Sequence, residues 1–263
     1  MADSLSTATL AIYVILAIPV LYLLVKHGKH GKHGFLGWLF LFLFCTIRII
    51  GGALEMKNSS IAASIISSVG LSPLLLATAG ILHEARIYRI RNLDEKLEWL
   101  LVLVFHIFVV GGVALVAAGS AKLQNHQQPI EKSEKIVKAG ISILTVSWGI
   151  LVGWVGLSFV APRISNSTTE RAGTTLLKSV CFSLAFVGIR VFCSLAALCT
   201  QKAYLNPTTG SLAIRVVLFF LSELIATLAY ITAGFKTQAL AKVQQDGDDD
   251  LPVSQKLQSA PYV

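Results

Sequence analysis

Long apolar runs alternate with short polar breaks along most of this chain. The runs lie near residues 6–25, 35–54, 61–83, 98–119, 137–161, 175–199 and 212–235. Each has the length, about 20 residues, that a helix needs to cross a bilayer. The breaks are too short to build a folded domain of their own. From about residue 241 the pattern changes to VQQDGDDDLPVSQKLQSAPYV, which is polar, acidic and interrupted by two prolines. Such a segment cannot bury enough apolar surface to fold. The pattern therefore predicts an all-α polytopic membrane protein. Residues 1–240 form one seven-helix transmembrane domain, and 241–263 form a disordered acidic cytosolic tail.

Composition supports this class. Of 263 residues, 54% are hydrophobic and only 14% charged, against roughly a quarter charged in soluble domains. The N-terminal MADSLSTATL carries Asp3 and no basic stretch, so the first run reads as a helix that stays in the membrane. Cationic residues are distributed unevenly. Lys26, Lys29 and Lys32, then Arg86, Arg89, Arg91 and Lys96, Arg163 and Arg171, and Lys236, Lys242 and Lys256 fall on one side; Lys57, Lys122, Lys132, Lys135 and Lys202 fall on the other. The positive-inside rule then places the N-terminus outside and the C-terminus in the cytosol. The formal charge of +8 reads as this topology signal plus attraction to anionic membrane lipids. It carries no nucleic-acid signature.

Local features add little chemistry. KHGKHGKHG (26–34) reads as a flexible basic loop at the lipid headgroups, its glycines too frequent for a preorganised metal site. EARIYRIRNLDEKLEW (84–99) reads as a basic inner loop leading into a helix start. Cys45, Cys181, Cys193 and Cys199 lie in or at the ends of runs and read as small packing residues, with no disulfide framework. Asn58 and Asn166 open glycosylation-type triplets. Trp38 and Trp99 read as interfacial anchors, and Gly149 with Gly153 as a close-packing seam beside Trp148. No cofactor or metal is expected.

The charged residues inside the runs carry more information. Arg48, Arg190 and Glu223 lie deep, at closely similar depths counted along their helices at about 1.5 Å per residue. A buried ionisable group in a bilayer is costly and marks a candidate functional site whose partner should be named. Bidentate geometry suits arginine to carboxylate, so the three are expected to form one Arg–Glu–Arg cluster. Thr227 and Tyr230 continue the Glu223 face at helical spacing. Ser72 precedes Pro73 within the third run, where a proline is expected to free a carbonyl and kink the helix. His106 reads as a hydrogen-bonded packing histidine. Glu55, Lys178 and Arg215 sit near run ends and can snorkel. CTIRIIGGAL (45–54) matches FVGIRVFCSL (186–195), and LSPLLLAT (71–78) matches LSELIATL (221–228). The order suggests two parallel three-helix repeats joined by a fourth span, an arrangement found among transporters.

The stretches GWLFLFLFCTIRIIGG (37–52), GLSPLLLATAGIL (70–82) and GIRVF (188–192), with the SEL…Y…G run of the last span, resemble an uncharacterised fungal family of seven-transmembrane proteins, known only as a domain of unknown function. The resemblance covers nearly the whole chain and implies a fold without an activity. The leading expectation is a non-enzymatic protein that binds or translocates a small amphipathic or anionic molecule at Arg48, Arg190 and Glu223, with Thr227, Tyr230 and Ser72 nearby. One alternative is a receptor-like sensor with a cytosolic protein partner. Another is a membrane-bound terpene-cyclase-like enzyme using Glu55 and Glu223 as acids. Lysine is absent from the middle of the last run, which excludes a rhodopsin-type retinal linkage.

Overall fold

A computed structural model describes residues 4–29, 32–57, 66, 70–124, 130–164, 168–200 and 211–249. The triplets at Asn58 and Asn166, and the tail beyond 249, lie outside the described residues. Within them the apolar runs form seven long helices: α1 (Ser4–Lys29), α2 (Lys32–Met56), α3 (Leu71–Arg89), α4 (Glu95–Gln124), α5 (Ile130–Val160), α6 (Thr168–Thr200) and α7. The last is assembled from Leu212–Ile214, a π-helical segment Arg215–Leu221, and Ser222–Asp249, so it runs on into the segment expected to be a tail.

Six of these helices, all but α3, are long and apolar enough to cross a membrane, and the chain is a multi-pass membrane protein. α3 differs for a physical reason. It is the axis of the bundle, contacted by α2, α4, α5 and α6, and most of its residues are buried. A helix sheathed by protein need not be greasy all round, and α3 carries His83, Glu84 and Arg86 within it. The outer helices turn large apolar side chains outward instead, among them Ile15, Ile18, Ile107 and Leu157. That surface suits hydrocarbon.

Close approach is set by glycine at one contact above all. A Cβ on Gly37 would lie 2.6 Å from the Ile81 nitrogen, and one on Gly80 would lie 2.5 Å from Gly37 itself. α2 and α3 thus touch backbone to backbone, a device common where helices pack in membranes. The expected seam at Gly149 and Gly153 is not one, because nothing lies within 4 Å of either position. Trp148 packs instead on α6, its indole against Gly188 and its Nε1 donating to the Leu184 carbonyl at 2.9 Å.

Pro73 also sits differently from expectation. α3 begins at Leu71, so Pro73 falls in its first turn, where a missing N–H costs little. The next turn uses Asn92 at φ 56°, a left-handed conformation that asparagine tolerates. Asp94 then caps α4, its Oδ1 accepting from the Lys96 nitrogen at 3.0 Å. An isolated bridge between Ile90 and Arg163 ties this turn to the α5–α6 connection.

Candidate functional site

The three deep charges meet. Arg48 on α2 and Arg190 on α6 both donate to Oε1 of Glu223 on α7, Arg190 through Nε at 3.0 Å. Glu223 and Arg190 are each 2% exposed, and the Arg48 side chain is 13% exposed. Aromatic faces complete the cradle. The Arg190 guanidinium lies 4.3 Å from the Phe219 ring centroid and that of Arg48 5.5 Å from Phe44. Arg190 also donates to the Ser194 hydroxyl. Gly70 backs the Arg48 guanidinium, where an added Cβ would come within 3.1 Å.

Local sequence explains this placement. The π-helical turn Arg215–Leu221 ends at Ser222, directly before Glu223. Such turns shift the helix face by an inserted residue and recur at functional sites. They leave no apolar periodicity by which the sequence could betray them. Here the shifted face brings Arg215, Phe219, Phe220 and Glu223 into one cleft with Arg48, Glu55 and Arg190.

That cleft, about 60 Å³, lies on the predicted outer half of the bundle. Its rim is polar in a way the run-end positions did not suggest. Glu55 and Arg215 do not simply reach for water. Glu55 accepts from the Ser6 hydroxyl at 2.5 Å and pairs with Arg215 at 3.8 Å. The cleft thus holds three guanidinium groups and two carboxylates. The Arg48 Nε is buried without a hydrogen-bond partner.

The other predicted site residues lie deeper in the bundle and do not line the cleft. Thr227 turns its hydroxyl to the Glu223 carbonyl at 2.8 Å, closing the helix on itself. One turn on, the Tyr230 hydroxyl pairs with Thr78 of α3 at 2.8 Å. Ser72 is buried in the first turn of α3. These are interhelical and intrahelical bonds of a packed core.

A second polar cluster occupies the predicted inner half, and sequence reasoning missed it. Glu84 of α3 is fully buried. Its Oε1 meets the His27 Nδ1 at 2.6 Å and its Oε2 accepts from the Trp38 Nε1 at 3.0 Å. His27 therefore belongs to a helix end packed against α3, not to a flexible loop, and Trp38 is a core residue rather than an interfacial anchor. Beside them, Arg86 grips Glu98 of α4 with two bonds of 3.0 and 2.5 Å and donates to Ser158 of α5 at 2.7 Å. Arg89 is buried against the Ser158 carbonyl and the Phe159 ring. Glu84, Arg86 and Arg89 are thus helix residues with partners, where a basic loop was expected. Two of the cations counted toward orientation are consequently internal. The available signal was weak: a glycine-rich tract and an ILHEAR helix end look the same in hydropathy whether water or protein surrounds them.

His106 bonds the Val102 carbonyl at 2.6 Å through Nδ1 and lies tilted against the Phe40 ring, 5.0 Å between centroids. Among the described residues no group of three or more His, Cys, Asp or Glu side chains is arranged to hold a metal. Cys45 is buried, Cys193 half-buried, and Cys181 and Cys199 exposed; all four are free thiols. A larger groove of about 470 Å³ opens on the apolar surface between Trp148, Gly188 and Phe192. Its walls offer little polarity to orient a ligand.

No curated protein and no solved structure matches the chain. A family model does match, over residues 1–240, which includes every helix that contributes to the cleft. The chain belongs to that family, the domain of unknown function DUF7702.

Proposed function

We propose that this protein is a seven-helix integral membrane protein, with its N-terminus outside, that binds a small anion in the outer cleft and passes it toward the inner cluster. One observation carries the reading: two buried guanidinium groups share a single carboxylate at the bottom of a cleft. Arginine keeps its charge at any ordinary pH. Arg48 and Arg190 therefore set two positive charges against the one carboxylate of Glu223 in the membrane interior. The Glu55–Arg215 pair on the rim adds none. Buried charge is expensive unless paired, so a mobile anion is the natural complement.

Size narrows the ligand. A cleft of about 60 Å³ lies far below the several hundred Å³ of sites for drug-sized molecules. The anionic half of the original expectation fits, and an amphipathic molecule fits poorly. Passage is supported by the contrast between the two ends. The outer end holds a cleft, while the inner half holds the paired side chains of Glu84 and His27 and of Arg86 and Glu98. α3 is counted here as the seventh span, its polar residues tolerated because protein surrounds them. Fungal origin, expected from the resemblance, belongs to the same proposal.

The receptor reading is less favoured, since Arg86 and Arg89 of its basic segment are engaged inside the bundle by Glu98 and Ser158. The cyclase reading is disfavoured too, because Glu55 and Glu223 are both engaged by arginine and the cleft is too small for a prenyl chain. The test is thermal unfolding of the purified protein in chloride or acetate, with gluconate as a bulky control. A ligand that binds only the folded state stabilises it in proportion to the logarithm of its concentration. Chloride or acetate should raise Tm in wild type, and Arg190→Gln should abolish the rise. Equal Tm values in all three salts would refute anion binding.

A further inference from the structure

We infer that the inner end of the bundle holds one anionic phospholipid of the cytosolic leaflet, its phosphate gripped by Arg91 and Arg163. This site lies at the opposite end of the protein from the cleft and stands whether or not the cleft takes an anion. Main chain builds it. Where α3 ends, Ile90 is extended, at φ −94° and ψ 129°, and pairs with Arg163 in an antiparallel bridge. The Arg91 nitrogen donates to the Pro162 carbonyl at 3.1 Å, and the Ile164 nitrogen donates to the Arg89 carbonyl at 2.9 Å. Residues paired in this way stand about 5 Å apart. Arg89, Arg91 and Arg163 are thereby clasped together.

Their charges are not cancelled locally. Among the described residues none of the three forms an ion pair with a carboxylate. Arg89 is 1% exposed, its guanidinium on the Ser158 carbonyl and the Phe159 ring and its Nε buried without a hydrogen-bond partner. Glu170 is the one acid whose charge bears on Arg89, and Arg163 opposes it with like charge. Asp94, in the same turn, is occupied in capping α4. The carbonyl ends of α3 and α5 favour a cation at Arg89, an effect that fades within one turn. Arg91 and Arg163 stand beyond both helices and are exposed. Two neighbouring guanidinium forks with no carboxylate match a phosphate, whose oxygens accept paired bonds from each fork.

The surroundings select a lipid over a soluble phosphate. Just before Arg163, the end of α5 exposes Phe159 and Val160. Just after Arg91, the start of α4 exposes Leu97, Trp99 and Leu100. An indole here marks the headgroup level. Fixed positive charge at that level, beside bare apolar helix faces, complements a phosphate carried on acyl chains. The positive-inside rule puts this end in the cytosol, where the anionic lipids are concentrated. A headgroup ending in a phosphate monoester, with up to two negative charges, fits best.

Native mass spectrometry of the full-length protein in an uncharged detergent, titrated with dioleoyl phosphatidic acid or dioleoyl phosphatidylcholine, tests this. Wild type should bind its first phosphatidic acid about tenfold more tightly than phosphatidylcholine. Arg91→Gln/Arg163→Gln should weaken that first site by about thirtyfold, while Lys26→Gln/Lys236→Gln, which removes two exposed charges elsewhere at the same end, should leave it unchanged. Equal affinity for the two lipids overturns the site. So does an equal loss in both double variants, which would show diffuse attraction. Displacement of the lipid by inorganic phosphate at equal concentration would make this a soluble-phosphate site and overturn the lipid assignment. Should the glutamine pair fail to fold, Arg91→Lys/Arg163→Lys decides. It keeps the charge but loses the two-pronged grip, so affinity should fall severalfold; wild-type affinity in that variant overturns the inference.

Discussion

Glu84 offers the sharpest stability prediction, because its carboxylate is the shared partner of two donors from two other helices. Replacing it by alanine leaves the His27 Nδ1 and the Trp38 Nε1, 2.6 and 3.0 Å from the carboxylate in the native fold, with nothing to bind. An orphaned buried polar group costs about 1–3 kcal/mol, so two would cost about 2–6 kcal/mol. Polar contacts inside membranes average nearer 0.6 kcal/mol, because the unfolded chain in lipid also finds partners. Between these limits the structure favours the larger figure, since Glu84 is fully buried and makes both bonds at once. Glu84→Ala should therefore destabilise by about 3 kcal/mol. Glu84→Gln should lose only about 1 kcal/mol, as its carbonyl still accepts from one donor. The assay is reversible unfolding in mixed micelles titrated with SDS, followed by far-UV circular dichroism. A Glu84→Ala protein within about 0.5 kcal/mol of wild type, the usual range for surface changes, would show that the inner cluster does not hold α1 and α2 onto α3.

Further outcomes follow from the packing. Gly80→Ala should cost about 2 kcal/mol in the same assay, since its methyl group would drive apart two backbones already in contact, whereas Gly149→Ala should be neutral or slightly stabilising because its site is open. Arg86→Met removes both bonds to Glu98 and should cost about 3 kcal/mol by leaving a buried carboxylate with only His83, 3.9 Å away, beside it; the paired change Arg86→Met/Glu98→Leu should recover most of it. For orientation, Arg163→Cys in a background with Cys45, Cys181, Cys193 and Cys199 replaced should react with an impermeant maleimide only after cells are opened. Labelling of intact cells would invert the topology.

The sequence made the bundle legible because lipid imposes a crude rule: surfaces facing hydrocarbon must be apolar, and each crossing needs a full-length run. Seven runs announce helices in this way, and six of the described helices are long and apolar enough to cross. Arg48, Arg190 and Glu223 were legible for the complementary reason, since charges so deep in apolar runs have few places to find partners. What hydropathy cannot distinguish is burial by lipid from burial by protein. That is why α3 carries His83, Glu84 and Arg86 without looking like the core helix it is, and why His27 and Trp38 read as surface residues. Gly149 and Gly153 failed in the opposite sense, because spacing shows that helices could approach but not which face has a neighbour. The π-helical turn before Glu223 and the helix start that places Pro73 depend on backbone register. Register of that kind leaves no mark on composition.

The central claim is that Arg48 and Arg190 share Glu223 in the membrane interior, and a double-mutant cycle tests it most directly. Stability would be measured for wild type, Arg48→Gln, Glu223→Gln and the combined variant. Glu223→Gln abandons two buried guanidinium groups and should cost about 3–5 kcal/mol. Adding Arg48→Gln removes one of those charges, so the double variant should be more stable than Glu223→Gln alone, with a coupling of about 2 kcal/mol. Costs that simply add, leaving the double variant the least stable of the four, would contradict the shared cluster.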